Sequence, residues 1–215
     1  MKHRAAGGYD SGLASRGASS VALTRPTGRS DAAARILDAA ERLVQERGFN
    51  GFSYANVAAE LVLTSATLHY HFPGKAELGE ALITRDAERF AGARAAIDTG
   101  VPDARAKLAG FVDLLADRLN GRCVCLCAVL LAEYETLPEP MRRAIDRFFS
   151  DSEEWLATVL ERGRAGGSLS FEASPGDAAS AIIGGLVGAM LLARSNNDVN
   201  RFRSAASLLL ATVAG

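Results

Sequence analysis

From Ser30 onward, apolar residues recur at helical spacing. Ile36, Leu37, Ala40, Leu43 and Val44 fall at i, i+1, i+4, i+7 and i+8, with Arg35, Glu41, Arg42 and Glu46 elsewhere. Gly48 stops this first helix, and Phe49 and Phe52 follow as anchors. Ser53 is a good cap for a short second helix that turns Val57, Ala58 and Leu61 inward. The chain then turns at Val62–Leu63, and Thr64 caps a third helix through Tyr70. Phe72-Pro73-Gly74 ends it, and Lys75 opens a fourth helix reaching about Asp98. Further helices are predicted over 103–120, 122–135, 139–164, 176–194 and 199–213. Gly166-Gly167 closes the third of these, and Pro175 suits the start of the fourth. With no strand signal longer than four residues and no repeat, the expectation is an all-α fold of about nine helices.

Composition narrows the class. The chain has 215 residues, 48% hydrophobic and 23% charged, which excludes a wholly disordered chain, a collagen and a polytopic membrane protein. A net charge of −1 provides no overall basic field, so any contact with nucleic acid must be a local patch. The charge is uneven: in residues 1–30, five basic side chains against Asp10 net +4, which leaves −5 for the other 185. That Gly/Ser/Ala/Arg-rich stretch reads as a flexible, disordered basic arm. It lacks the apolar run of a signal peptide, so a cytoplasmic location is expected. The apolar run Ala178–Ala193 is sixteen residues long, short of the roughly 20 a membrane span needs, and reads as a buried helix.

The segment 53–72 carries the first candidate chemistry. Two short helices joined by a tight turn make a helix-turn-helix, whose second helix can enter a DNA major groove. At about 100° per residue, Leu68 and Phe72 pack inward while Ala66, Thr67, His69 and Tyr70 face or flank the outside. No carboxylate occurs between Leu61 and Ala76, as a surface approaching phosphates requires. Lys75 and the free N–H groups opening the fourth helix can hold a phosphate. His69 and His71, at i, i+2, lie nearly opposite each other on a helix and make poor metal ligands, and no cofactor is expected.

The stretch SYANVAAELVLTSATLHYHFPGKAEL resembles the DNA-binding region of TetR/AcrR-family transcriptional repressors. The pieces that carry it are the Ser53 cap, Val57-Ala58, Thr67-Leu68-His69-Tyr70-His71-Phe72 and Lys75. The resemblance implies a helix-turn-helix unit over 31–78 and a larger helical effector-sensing and dimerisation domain over 79–215. It implies a homodimeric repressor on a near-palindromic double-stranded operator. Ser53, Tyr54, Thr64 and Lys75 would position it on phosphates, with Ser65, Ala66, Thr67, His69, Tyr70 and His71 at or near the bases. His69 stands where the family commonly has tyrosine, and Tyr70 follows. Val62 stands where the family usually has glycine; a β-branched residue disfavours φ > 0, so the turn could take another geometry here.

Cys123, Cys125 and Cys127 form the second constellation. Three cysteines on one helix cannot wrap a tetrahedral metal alone. Either they are small buried hydrophobes, or they are reactive thiols. For the second reading, Cys123 and Cys125 fall in the first helical turn beside Arg122, where the helix N-terminus and a cation lower a thiol's pKa. Cys125-Leu126, Ala132-Glu133 and Leu137 are similar to the NemR-like branch, which responds to electrophiles and oxidants. That similarity places the sensing role on Cys125.

Helix 176–194 is apolar on nearly every side, and 199–213 is amphipathic. A monomer would expose a wide apolar patch, so the pair is expected to form a two-fold interface through Ile183, Leu186, Val187, Met190, Phe202 and Leu209. Phe111, Leu115, Tyr134, Phe148 and Trp155 suggest an effector pocket around the cysteine helix. Two alternatives stay open: a regulator that binds a small ligand reversibly, its cysteines only structural, and a helical protein without DNA binding. The histidines are His3, His69 and His71, none placed to serve the cysteines as a catalytic base, so an enzyme is not expected.

Overall fold

A computed structural model describes residues 28–120 and 124–214. The basic arm, apart from the first residues of α1, and Cys123 lie outside the described residues. Nine α-helices are present among them: α1 (Gly28–Arg47), α2 (Tyr54–Leu61), α3 (Ser65–His71), α4 (Lys75–Gly100), α5 (Ala104–Asn120), α6 (Leu126–Leu131), α7 (Glu139–Ala165), α8 (Pro175–Asn196) and α9 (Val199–Ala214). The only β pairing among these residues is an isolated bridge, Ser170 to Ala214.

The apolar period of α1 does what it predicts: Ile36, Ala39, Ala40, Leu43 and Val44 are all buried. Gly48, at φ 75°, ends the helix in the left-handed region. Ser53 caps α2, and Asn56 reaches back to the Ser53 N–H at 2.8 Å. Thr64 caps α3 by accepting the Thr67 N–H at 3.2 Å. At the other end of the chain Ser174 caps α8 in the same way, through the Asp177 N–H at 3.1 Å.

α1 packs on α2, α4 and α6, while α2 holds α3. The 26-residue α4 runs from this small unit into the larger one, where it packs on α5 and α7. Helices α7, α8 and α9 pack in sequence, and α5 joins all three. At Gly79 α7 packs tightly on α4: a Cβ there would meet the Met141 Sδ at 2.4 Å.

One expected helix is shorter than its sequence pattern. The span 122–135 yields only α6, then a 3₁₀ turn over Tyr134–Thr136. The physical cause lies on α1. The buried Gln45 amide donates to the Val124 carbonyl at 2.7 Å and accepts the Val124 N–H at 3.3 Å. It thereby satisfies in extended form a peptide that the pattern assigned to the helix. At the far end Leu137 precedes Pro138 and is extended, as a residue before proline tends to be.

Candidate functional site: a reading helix tied to a buried thiol pair

The turn of the helix-turn-helix keeps left-handed geometry in spite of its residue. Val62 has φ 55° and ψ 45° and is 91% exposed. Its N–H and that of Leu63 still bond back to Ala59 and Ala58 at 3.4 and 2.9 Å. The strain that a β-branched side chain meets there is carried, and the backbone of the turn is that of a left-handed cap. The expectation of a different turn does not hold.

Leu68 is fully buried beneath α3, and Ser65, Ala66, His69 and Tyr70 are exposed on it. Thr67 and His71 are half-buried. His69 Nδ1 lies 2.9 Å from the Pro73 carbonyl, which can only accept, so Nδ1 carries the proton. Its ring leans on Tyr54 at 4.9 Å.

Two residues expected on phosphates are turned inward. The Tyr54 hydroxyl donates into the Phe72 and Gly74 carbonyls at 2.8 and 2.5 Å, pinning the link between α3 and α4. Burial, with Glu77 nearby, pushes its pKa up to about 12. The Lys75 ammonium donates to the Phe49 carbonyl at 2.6 Å and stands 4.5 Å over the rings of both Phe49 and Phe52. Burial pulls its pKa down, against the pull of Glu133. An aromatic cradle and free carbonyls lie within reach of both side chains, so their polar ends are spent indoors. Ser53 and Thr64 remain exposed at the helix starts.

A carboxylate that sequence reasoning gave no role closes the same turn from the other domain. Glu133 accepts the Phe49 N–H and the Asn50 N–H, both at 2.8 Å, and the Asn50 side-chain amide at 2.6 Å. Asn50 also donates to Thr136 at 2.7 Å. Arg194, at the end of α8, donates to the Gln45 carbonyl. The end of α1 and the turn after it are therefore gripped by the segments on either side of α6 and by α8.

Cys125 is the N-cap of α6 and only 3% exposed, and Cys127 is fully buried. The Cys127 thiol hydrogen-bonds the Cys125 sulfur, and the Ala128 N–H and the Arg118 guanidinium favour the same charge. These hold the Cys125 pKa below its ordinary value against burial and Asp86. Donation to Cys125, followed by burial, drives Cys127 well up. Arg118 in turn pairs with the buried Asp86 at 2.7 Å.

Cys125 borders an apolar cavity with Phe90, Phe111, Leu115, Phe148 and Met190 among its walls. Its volume is about 20 Å³, room for a single water-sized molecule. Phe111, Leu115 and Phe148 are thus where the effector pocket was expected. Trp155 does not line this cavity; its ring packs on Phe111 at 5.2 Å. Tyr134 is away from it, with its hydroxyl on the Asp146 carboxylate at 2.8 Å.

The residues expected at a dimer interface fall mostly inside the subunit. Ile183, Leu186, Met190 and Phe202 are buried in its own core, and Val187 lines the cysteine cavity. The Leu209 side chain lies where a Cβ on Gly185 would be. On this nearly all-apolar helix Ile182, Ile183, Leu186 and Met190 fill the subunit, together with Ala178, Ala179, Ala189 and Ala193. The outer face of α8 and α9 presents Ala181, Gly184, Gly188, Leu191, Leu192 and Leu208. α8 is long and apolar enough to cross a membrane by composition, but it packs between α7 and α9.

A helix-turn-helix unit joined to a larger helical body defines a class of bacterial regulators, and the comparisons agree. The model of bacterial regulatory proteins of the tetR family matches residues 36–82, and that of the tetracyclin repressor-like C-terminal domain matches 100–209. The chain belongs to the TetR family of transcriptional regulators. A TetR-family regulator from Agrobacterium tumefaciens is 27% identical with a TM-score of 0.84, over 87% of this chain and 100% of that one. An uncharacterized HTH-type transcriptional regulator in the lacX 3' region of Lactococcus lactis subsp. lactis is 26% identical over 181 residues, 81% of this chain and 89% of its own. The reduced form of Escherichia coli NemR, 23% identical over 85% of this chain and 97% of its own with a TM-score of 0.75, shares the fold.

Proposed function

We propose that this protein is a cytoplasmic homodimeric repressor whose grip on DNA is released by oxidation of Cys125. The observation that carries the reading is the tie through Glu133, which joins the segment after the cysteine helix to the turn that orients the reading head. The unit 31–78 reads DNA, and 79–215 senses and dimerises. Each α3 enters a major groove of a near-palindromic operator, the half-sites about 34–36 Å apart. Ser65, Ala66, Thr67, His69 and Tyr70 lie nearest the bases. Ser53 and Thr64 meet phosphates, while Tyr54 and Lys75 position the head from within. The partner subunit docks on the outer face of α8 and α9, where Gly184 and Gly188 allow close approach and Leu192 and Leu208 supply apolar area.

The cavity size selects the effector. Hydrogen peroxide is close to water in size and fits about 20 Å³; a bulky electrophile does not. The Cys125 thiolate attacks one peroxide oxygen, the O–O bond breaks, hydroxide leaves, and a sulfenic acid remains. The added hydroxyl is polar and sits among Phe90, Phe148 and other apolar walls that offer it no partner, so α6 shifts and carries Glu133 with it. Release follows only as far as the oxidised thiol favours the released arrangement.

The test is fluorescence anisotropy of labelled DNA from upstream of the gene, with reduced protein and then peroxide. Cys125→Ser keeps DNA binding and no longer releases; equal release by mutant and wild type overturns the reading. The near-complete burial of both cysteines favours a second reading, in which they only pack and a small apolar ligand opens the cavity. Release by a non-reactive ligand under full reduction supports that one.

A further inference from the structure

A second concave site lies apart from the cysteine cavity, linked to it through Trp155, whose ring packs on Phe111. It is a cleft of about 690 Å³ between the end of α4, the start of α5 and the second half of α7. That volume is in the range of small-molecule sites. No residue of α8 or α9 lines it, so a partner docked on their outer face leaves it open.

Its charges are arranged unevenly. Arg94 lines the cleft and is nine-tenths buried. Among the described residues its guanidinium donates to one group, the Asp151 carbonyl at 2.7 Å, and stands 5.5 Å from the Phe90 ring. No carboxylate among them forms an ion pair with it. The contrast is with Arg118, which is half-buried and has Asp86 at 2.7 Å. A guanidinium has five N–H donors, and a buried cation without a counter-ion is costly. The outer wall is mixed but acidic near Trp155: Asp151 and Glu154 line it from the exposed side of α7, with Arg162 two turns further along. Asp98 adds little free charge, because Lys107 at 2.7 Å and the Trp155 indole N–H at 2.8 Å hold its two oxygens. Asp103 caps the Ala106 N–H at 3.0 Å. Trp155 supplies an aromatic wall between the buried cation and the acidic rim.

We propose that this cleft binds a small zwitterion with an apolar body: its carboxylate on Arg94, its body on Trp155, its ammonium toward Asp151 and Glu154. An anion alone meets the acidic rim, and a cation alone meets Arg94. A molecule carrying both ends satisfies both, and its carboxylate supplies the direct ion pair that the guanidinium lacks, Asp151 and Asp98 acting on it only through space. The ammonium also gains from the face of the indole ring.

Trp155 is the only tryptophan in the chain, so its emission, excited at 295 nm, reports this cleft directly. Three probes share a benzene ring and differ in charge: phenylalanine, phenylacetate and phenethylammonium. Phenylalanine is expected to give a saturable change at a concentration at least ten times lower than either of the others. Arg94→Gln weakens phenylalanine at least tenfold and leaves phenethylammonium unchanged or tighter. Because Arg94 is buried, the exposed double variant Asp151→Asn/Glu154→Gln is measured beside it. It weakens phenylalanine and phenethylammonium and spares phenylacetate. No saturable change with phenylalanine up to 10 mM, on the order of the weakest useful site, overturns the proposal. So does tighter binding of either singly charged probe. The readout needs neither DNA nor peroxide, so its result stands apart from that of the Cys125 test.

Discussion

The helix-turn-helix head and the interior around Cys125 solve opposite problems with the same secondary structure. Helix α3 is seven residues long, and one of them, Leu68, is buried. Its conformation is imposed from outside, by the Thr64 cap, by Tyr54 on the Phe72–Gly74 link and by Glu133 on the preceding turn. The interior around Cys125 is held by close packing, with a void hardly larger than a water. One region is positioned by a few directional bonds, the other by many weak contacts. Small chemical changes in the packed region can reach the other through these directional bonds as well as through the packing of α1 on α4 and α6.

Core truncation gives the largest expected effect. Leu68→Ala and Leu186→Ala should each cost about 2–5 kcal/mol in urea unfolding. Their consequences differ: Leu68→Ala abolishes DNA binding, whereas Leu186→Ala widens the cavity and speeds iodoacetamide labelling of Cys125. Equal labelling rates for Leu186→Ala and wild type would show that access does not limit the thiol. Next comes Glu133→Ala, which leaves the N–H groups of Phe49 and Asn50 without their acceptor. It should cost about 2 kcal/mol and lower operator affinity, with peroxide then having little further effect. Retention of full peroxide release in this variant would remove Glu133 from the route.

Val62→Gly acts in the other direction. The side chain is exposed and strained, so its removal should stabilise by about 1 kcal/mol, the left-handed penalty less the entropy of glycine. A loss of stability would mean that the valine makes a contact worth more than its strain. The smallest effect is one of pH. An unfolded phenol titrates near 10 and the folded Tyr54 at about 12. The stability it contributes is intact below the first value and is lost as pH rises toward the second. Tyr54→Phe should flatten that alkaline loss, measured as melting temperature against pH.

The helices were legible because their signals are local. The α1 period, the Ser53 and Thr64 caps and the glycines after α1 and α7 each depend on neighbours a few residues away. The outward face of α3 was legible for the same reason. What escaped depends on distant partners. Glu133 lies 83 and 84 residues from the N–H groups it caps, and Gln45 shortens α6 from 79 residues away. Lys75 and Tyr54 read as surface polar groups because nothing nearby in sequence announces the carbonyls that receive them. α8 misled because a helix apolar on every side has no amphipathic direction, so its large residues were assigned to the wrong face.

The bond from Arg194 to Gln45 spans 149 residues, and it bears on how the protein is made. Ribosomes add about 5–20 residues per second, so α1 waits roughly 7–30 s for the residue that fastens its end. Glu133 reaches the adjoining turn earlier, but still long after α3 has emerged. A nascent chain thus carries its reading helix well before that helix is fixed in place. The end of α1 is fastened by this bond only once Arg194 has been made, so the earlier-made helix-turn-helix lacks that tie for the whole interval.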